Sequence, residues 1–337
     1  MPAQTVSSQK ILGAVLYLSI LFVLTGCGFS KKDTIQHDPR LKKEYTIGIS
    51  QRWGTTVFPR TIVQGARDSA MDWEKKTGVK IRIIVTDCGN DDPSRQISDM
   101  ERLASRKVDG LLLFPGDSEV VSEPLIRIYN KNDIPVVITD IGVERGDYLS
   151  IIITNNRKGG EMAAEEMARQ IPAGGKVVVF NNGPGNNNAR ARADGFTEKA
   201  KELGFHVLPE RIVRIDAEEG RKLMEEVLIG EPDIAGVFTL TIEPAIGAVG
   251  SLKAARNKTC KIVAFDINAV GLKLIKDGSL AACVLQDPYF IGVEGMNQLM
   301  YHFTGNTGRI NKLIDSPTTV CTRANTARYE TNPQVRL

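Results

Sequence analysis

Asp140, Arg192, Asp266 and Gln286 each follow the end of a short apolar run, as do Trp53 with Phe58, and Thr241. Carboxylates accept hydrogen bonds from hydroxyls, a guanidinium donates through a fixed fork, and an amide does both. The flat faces of Trp53 and Phe58 can cover an apolar ring face. A neutral polyhydroxylated ligand needs this mixture, so these residues form the candidate ligand-binding set. Plainer roles stand beside it: Asp140 and Asp266 as caps of the next turn, Arg192 on a solvated helix face, Gln286 as a satisfied strand-end amide, and Trp53 and Phe58 as core. Asp87 and Asp117 also follow apolar runs, but as rim or cap residues. The Asn-rich loop Asn181–Asn188 (NNGPGNNN) reads as a ligand loop or a surface turn.

Other chemistries have little support. The three histidines, His37, His206 and His302, lie far apart, which argues against a metal site. No Ser-His-Asp, zinc or phosphate-loop pattern occurs, so neither an enzyme nor a cofactor is expected. The net charge is +3 with mixed signs, and no basic run marks a nucleic-acid footprint.

The elements that must position these residues alternate. Strand candidates are Tyr45–Ser50, Ile81–Thr86, Gly110–Phe114, Pro135–Thr139, Ser150–Thr154, Lys176–Phe180, Ala235–Thr239, Lys261–Phe265 and Leu280–Leu285. Most are continuous Val- and Ile-rich runs, as in parallel strands covered on both faces. Helix patterns lie between them. Ile62, Ala66, Ala70 and Trp73 share one face ahead of Gly78. Asp92-Pro93 opens a second helix with Ile97, Met100, Leu103 and Ala104 inward. A third follows Asn155-Asn156 with Ala163, Met167 and Ile171 on one stripe. This alternation predicts an α/β fold of right-handed crossovers. So many strands are better divided between two doubly wound parallel-sheet lobes, split near residue 150. In open parallel sheets ligands sit beyond the carboxyl ends of the strands, which is where the candidate residues fall.

Residues 11–24 (ILGAVLYLSILFVL) are apolar and uncharged and follow Lys10. They are shorter than the roughly 20 residues of a membrane span and suit the apolar region of a signal peptide. The run ends at Leu24-Thr25-Gly26-Cys27, which resembles the bacterial lipobox. Residues 1–27 are therefore expected to be a lipoprotein signal with Cys27 as the lipid site, and residues 28–44 a flexible tether. An exported chain, anchored at the cell envelope, follows. Cys88, Cys260, Cys283 and Cys321 remain; they could pair outside the cytoplasm or be buried thiols. Four cysteines allow three pairings, and sequence does not choose among them.

Residues 45–315 resemble the type I periplasmic sugar-binding proteins, the ribose-binding group in particular. Asp133–Asp140 (DIPVVITD) is similar to the family's strand leading to a ligand aspartate, and Thr154–Gly160 (TNNRKGG) to its crossover and helix start. Arg190–Phe196 (RARADGF) matches its Arg-x-x-Gly-Phe region, Phe265-Asp266 its Phe-Asp, and Gln286 its hinge-side glutamine. The resemblance implies a two-lobed fold with a multi-strand hinge, residues 45–154 with 287–315 in one lobe and 155–286 with 316–337 in the other. It implies a monomer that passes a sugar or related polyol to an ABC importer; presentation to a membrane sensor is the alternative. Asp140 and Arg192 are expected at the mouth of the cleft, on different lobes or near their seam, with Asp266 and Gln286 close to the hinge. The sequence departs from the ribose pattern at Ile141, in place of an arginine, at Thr241, in place of an asparagine, and at Ile215, in place of an aromatic residue.

Overall fold

A computed structural model describes residues 41–89, 93–183, 187–332 and 335. The signal segment and Cys27, most of the tether, Asp92 and the middle of the Asn-rich loop lie outside the described residues.

The first sheet is built from β1 (Glu44–Gln51), β2 (Lys80–Asp87), β3 (Gly110–Leu113), β4 (Val136–Thr139), β5 (Ser150–Thr154) and a late strand, β12 (Leu313–Ser316). Its order is β12-β5-β4-β3-β1-β2, and every pairing is parallel. The second contains β6 (Lys176–Asn181), β7 (His206–Val207), β8 (Arg211–Ile212), β9 (Ile234–Thr239), β10 (Lys261–Phe265), β11 (Ala282–Leu285) and β13 (Thr319–Thr322). Its order is β13-β11-β10-β9-β6-β7, with β8 also against β6. Among these strands only β13 runs antiparallel to its neighbour. The two sheets give two doubly wound lobes.

The helices are α1 (Val57–Thr77), α2 (Pro93–Ser105), the short α3 (Ser122–Pro124) continued by irregular turns to Asn132, α4 (Asn156–Gln170), α5 (Asn187–Glu202), α6 (Ala217–Gly230), α7 (Ile242–Ala254), α8 (Ala269–Lys276) and α9 (Pro288–Phe303). Apolar spacing explains their seats. Ile62, Ala66, Ala70 and Trp73 of α1 are buried, and α1 packs on α9. There Ser69 Oγ and Trp73 Nε1 both donate to Asn297 Oδ1 at 2.9 Å. Asn155 caps α4 by accepting from the Lys158 amide at 3.0 Å, and Gly78 ends α1 in the left-handed region.

Strand alternation divides the second lobe's core into two faces. Val178 and Phe180, Ile262 and Ala264, Cys283 and Leu285 join one apolar cluster. Val177 and Val179, Val263 and Phe265, Ala282 and Val284 join the other. Continuous apolar strands are required because helices cover both sides.

The chain passes between sheets after Thr154, after Leu285, and between β12 and β13. The turn-rich stretch 140–149 only leads into β5 within the first sheet. Strands β7, β8, β12 and β13 have no long apolar run to reveal them. Two are only two residues long, and β12 reads LIDS with Leu313 exposed.

Candidate ligand-binding site

Two aspartates are presented by the same local device, one per lobe. Asp140 follows β4 and Asp266 follows β10, and each adopts φ 64°. A non-glycine residue with positive φ is uncommon, and Asp is among the few that tolerate it. Each amide still donates to the adjacent strand, Asp140 to the Ile152 carbonyl and Asp266 to the Val284 carbonyl, both at 2.8 Å. The left-handed residue ends each strand and places its carboxyl at the cavity. Asp87 and Asp117 act locally instead: Asp87 accepts from the Gly89 amide, and Asp117 from the Glu119 and Val120 amides.

A polar chain joins the lobes beneath the cavity. Thr154 at the end of β5 donates to Gln286 Oε1 at 2.8 Å. Gln286 Nε2 donates to Asp266 Oδ1 at 2.9 Å, and Arg192 Nη1 stands 3.6 Å from Asp266 Oδ2. The guanidinium also donates through Nε to Asn156 Oδ1 and through Nη1 to the Leu240 carbonyl, both at 2.8 Å. It lies 3.6 Å over the Phe265 ring. Close packing of α4 on α5 sets its backbone. A Cβ on Gly160 would collide with the Arg192 carbonyl, and one on Gly195 with the Arg157 carbonyl, so only glycine permits the approach.

Burial corrects one expectation. Asp140 and Arg192 retain only 5% and 6% exposure and are not at the cleft mouth. Asn188 of α5, which also lines the cavity, donates to the Asp140 carbonyl at 3.3 Å, and Asn156, Leu240 and Phe265 hold Arg192.

The cavity has a volume of about 450 Å³. Asp140, Arg192, Asp266 and Gln286 line it, and so do Trp53, Phe58 and Thr241. Trp53 has φ 55° and the Arg52 guanidinium 3.3 Å over its ring; Arg52 itself donates to the Gly116 carbonyl. Phe58 meets Phe114 edge to face at 6.1 Å. Ile141 and Ile215 contribute apolar wall.

Sequence reasoning missed Phe114, Glu243 and Asn268, which also line the cavity. Phe114 is the last residue of an apolar run and reads as core. Asn268 caps α8 by accepting from the Gly271 amide, and Glu243 lies in the first turn of α7. Helix starts facing the cleft were the available signal, because in this fold they lie beside the strand ends.

The electrostatics follow from burial. Desolvation pushes the Asp140 carboxyl up to about 7, against the pull of Arg192 and with a push from Asp266. Burial also raises Asp266, opposed by Arg192 and Gln286, and raises Glu243. Asp140 Oδ1 and Thr241 Oγ1 are buried without a hydrogen-bond partner among the described residues. Among those residues, three carboxyl groups and one guanidinium therefore face the cavity. Such a set offers several acceptors and one forked donor to hydrogen-bonding groups.

Two sheets, three crossings and a polar cavity at the strand ends define a two-lobed solute-binding protein of type I architecture. Residues 54–307 match the periplasmic binding protein domain. The ribose import binding protein of Bacillus subtilis is 34% identical over 84% of this chain and 90% of its own length. A solute-binding protein of Agrobacterium vitis, solved with α-D-tagatopyranose, superposes with a TM-score of 0.75 at 26% identity, covering 87% of this chain and 98% of the other. One from Agrobacterium radiobacter, solved with D-arabinose, gives 0.74 at 25%, covering 87% and 98%. The chain belongs to the periplasmic binding protein family. It is an extracytoplasmic binding protein and not an enzyme.

Proposed function

We propose that this protein captures a neutral sugar or related polyol between its lobes and delivers it to an ABC importer. The observation that carries this reading is the pair of buried, unpartnered oxygens, Asp140 Oδ1 and Thr241 Oγ1, at one cavity. A buried polar atom left unsatisfied costs about 1–3 kcal/mol, and ligand hydroxyls remove that cost. Asp140, Arg192, Asp266 and Gln286 hold the hydroxyls, with Thr241 beside them, while Trp53 and Phe58 cover the ring's C–H face. The excess of carboxyl groups selects against phosphorylated sugars. The relatives named for ribose and solved with tagatose and arabinose support the ligand class.

The lobes, residues 45–154 with 287–315 and 155–286 with 316–337, close by hinge motion at the three crossings. The test is a thermal-shift screen of pentoses, hexoses, polyols and their phosphates, followed by calorimetry. Ligand that binds only the folded state raises the melting temperature, by about 2.7 kcal/mol of stability at a hundredfold excess over Kd. One or more neutral sugars should shift it and their phosphates should not. A shift with phosphates alone, or with none of the panel, rejects the reading. Sedimentation velocity on the liganded sample should report a monomer, and a stable dimer would reject that state.

The run ending at Cys27 supports a second proposal: the cysteine carries the lipid anchor. Cys27→Ala should leave a precursor without lipid-modified mature protein. An unmodified Cys27 in the wild-type mature form, read by mass spectrometry, excludes the anchor.

A further inference from the structure

All four cysteines in the described residues are buried free thiols, and the topology sets two of them face to face. Cys283 of β11 is directly opposite Cys321 of β13 in the antiparallel register. Opposed residues project from the same face of the sheet, and both cysteines belong to one apolar cluster. Opposed Cα atoms lie about 4.5 or 5.5 Å apart in such a ladder, and both spacings fall within the roughly 4.4–6.8 Å that a disulfide spans. Cβ atoms in opposed pairs stand about 4.5–5.5 Å apart, against about 3.5–4.5 Å across a disulfide, so the strands need only a small approach. Among the described residues β13 is an edge strand with β11 as its one neighbour, which lets it supply that approach. The alternative pairings lack this geometry. Cys88 follows β2 in the first lobe, and Cys260 precedes β10, whose register sets Ala264 beside Cys283.

We propose that Cys283 and Cys321 form a disulfide as the exported chain folds, by exchange with a dithiol–disulfide oxidant outside the cytoplasm. One cysteine thiolate attacks the oxidant's disulfide and gives a mixed disulfide. The second thiolate attacks the protein sulfur of that bond and releases the oxidant as a dithiol. The new sulfur–sulfur bond leaves the two thiol protons on the reduced oxidant. The exchange precedes the docking of β13, because both side chains are wholly buried once it is seated. Burial also raises both thiols, Cys321 to about 11 and Cys283 well above its ordinary value. The bond has a mechanical consequence. β11 runs directly into Gln286, and β13 follows the last crossing from β12. The link therefore ties two of the three crossing segments together behind the hinge.

The test is to recover the exported full-length protein without reductant, quench thiol exchange in acid, block thiols with maleimide in denaturant near neutral pH, where thiolate is available, and map the peptides. The expected result is a linked pair of peptides containing Cys283 and Cys321, lighter by two hydrogens than the reduced pair, with Cys88 and Cys260 blocked. Reduction should lower the melting temperature by about 5–10 °C, as typical disulfides do in a chain of this size. The double variant Cys283→Ala, Cys321→Ala should show no response to reductant. Maleimide on both Cys283 and Cys321 in the unreduced protein, repeated after refolding in a glutathione redox buffer, overturns the proposal; so does a link mapped to another pair. The wild-type map decides the matter if the variant does not fold.

Discussion

Replacing Arg192 with alanine should lower stability by about 3–5 kcal/mol, the usual consequence of stranding a buried partner charge, and weaken ligand binding more than about a hundredfold. Among the described residues, Arg192 is the only guanidinium lining the cavity, and it interacts with Asp266 and Asp140. Its attraction opposes the burial that raises both aspartates. Without it, both carboxyls bind protons more readily, the Asn156 and Leu240 acceptors lose their donor, and the ligand loses the fork. Each hydrogen bond to a charged group contributes about 1.5–3 kcal/mol, so losing two weakens affinity more than about a hundredfold. Arg192→Lys restores the charge but not the planar fork, and should recover part of the stability and little of the affinity. Urea unfolding and calorimetry read the two effects separately. A folded Arg192→Ala protein with wild-type midpoint and affinity would place the binding site elsewhere.

Asp140→Asn should stabilise the ligand-free protein at alkaline pH while removing its affinity. The Asp140 carboxyl rises from 3.8 to about 7 on folding, chiefly by desolvation. The folded state therefore holds the proton more tightly than the unfolded chain. The stability associated with this group is fully present below about pH 4 and is lost as pH rises through about 7. At pH 8 the loss is on the order of 4 kcal/mol, which the uncharged amide of the variant avoids; the advantage shrinks toward pH 4. Binding runs the other way. Sugar hydroxyls donate to the ionised carboxylate, so wild-type affinity should fall as pH drops below about 7, by at most about tenfold per unit. Chemical unfolding and calorimetry between pH 5 and 8 check both slopes. Equal stability of the two proteins at pH 8, or a wild-type affinity unchanged across this range, would reject the role given to Asp140.

Much of the architecture was legible because parallel strands buried on both faces must be continuously apolar. Val136–Thr139, Lys261–Phe265 and Ala282–Leu285 announce themselves in that way, and the spacing of Ile62, Ala66, Ala70 and Trp73 marks a helix seated on one side. Strand-end residues could then be collected as a ligand set, because chain direction in a parallel sheet delivers all strand ends to one edge. β12 and β13 escaped for the converse reason. Edge strands bury less surface, so their side chains carry less pattern.

What the sequence by itself determined was the set of side chains available at the strand ends: Asp140, Arg192, Asp266, Gln286, Thr241, Trp53 and Phe58. Tertiary structure decided how those groups meet. The left-handed turns at Asp140 and Asp266 depend on hydrogen bonds to strands far along the chain. The depth of Arg192 depends on two glycine contacts and on Phe265 beneath it, and Glu243 enters the cavity because α7 begins there. Cys283 faces Cys321 only because the last strand runs back against β11. Local periodicity reports whether a side chain faces a core or a surface, whereas partner, depth and pKa come from segments that only folding brings together.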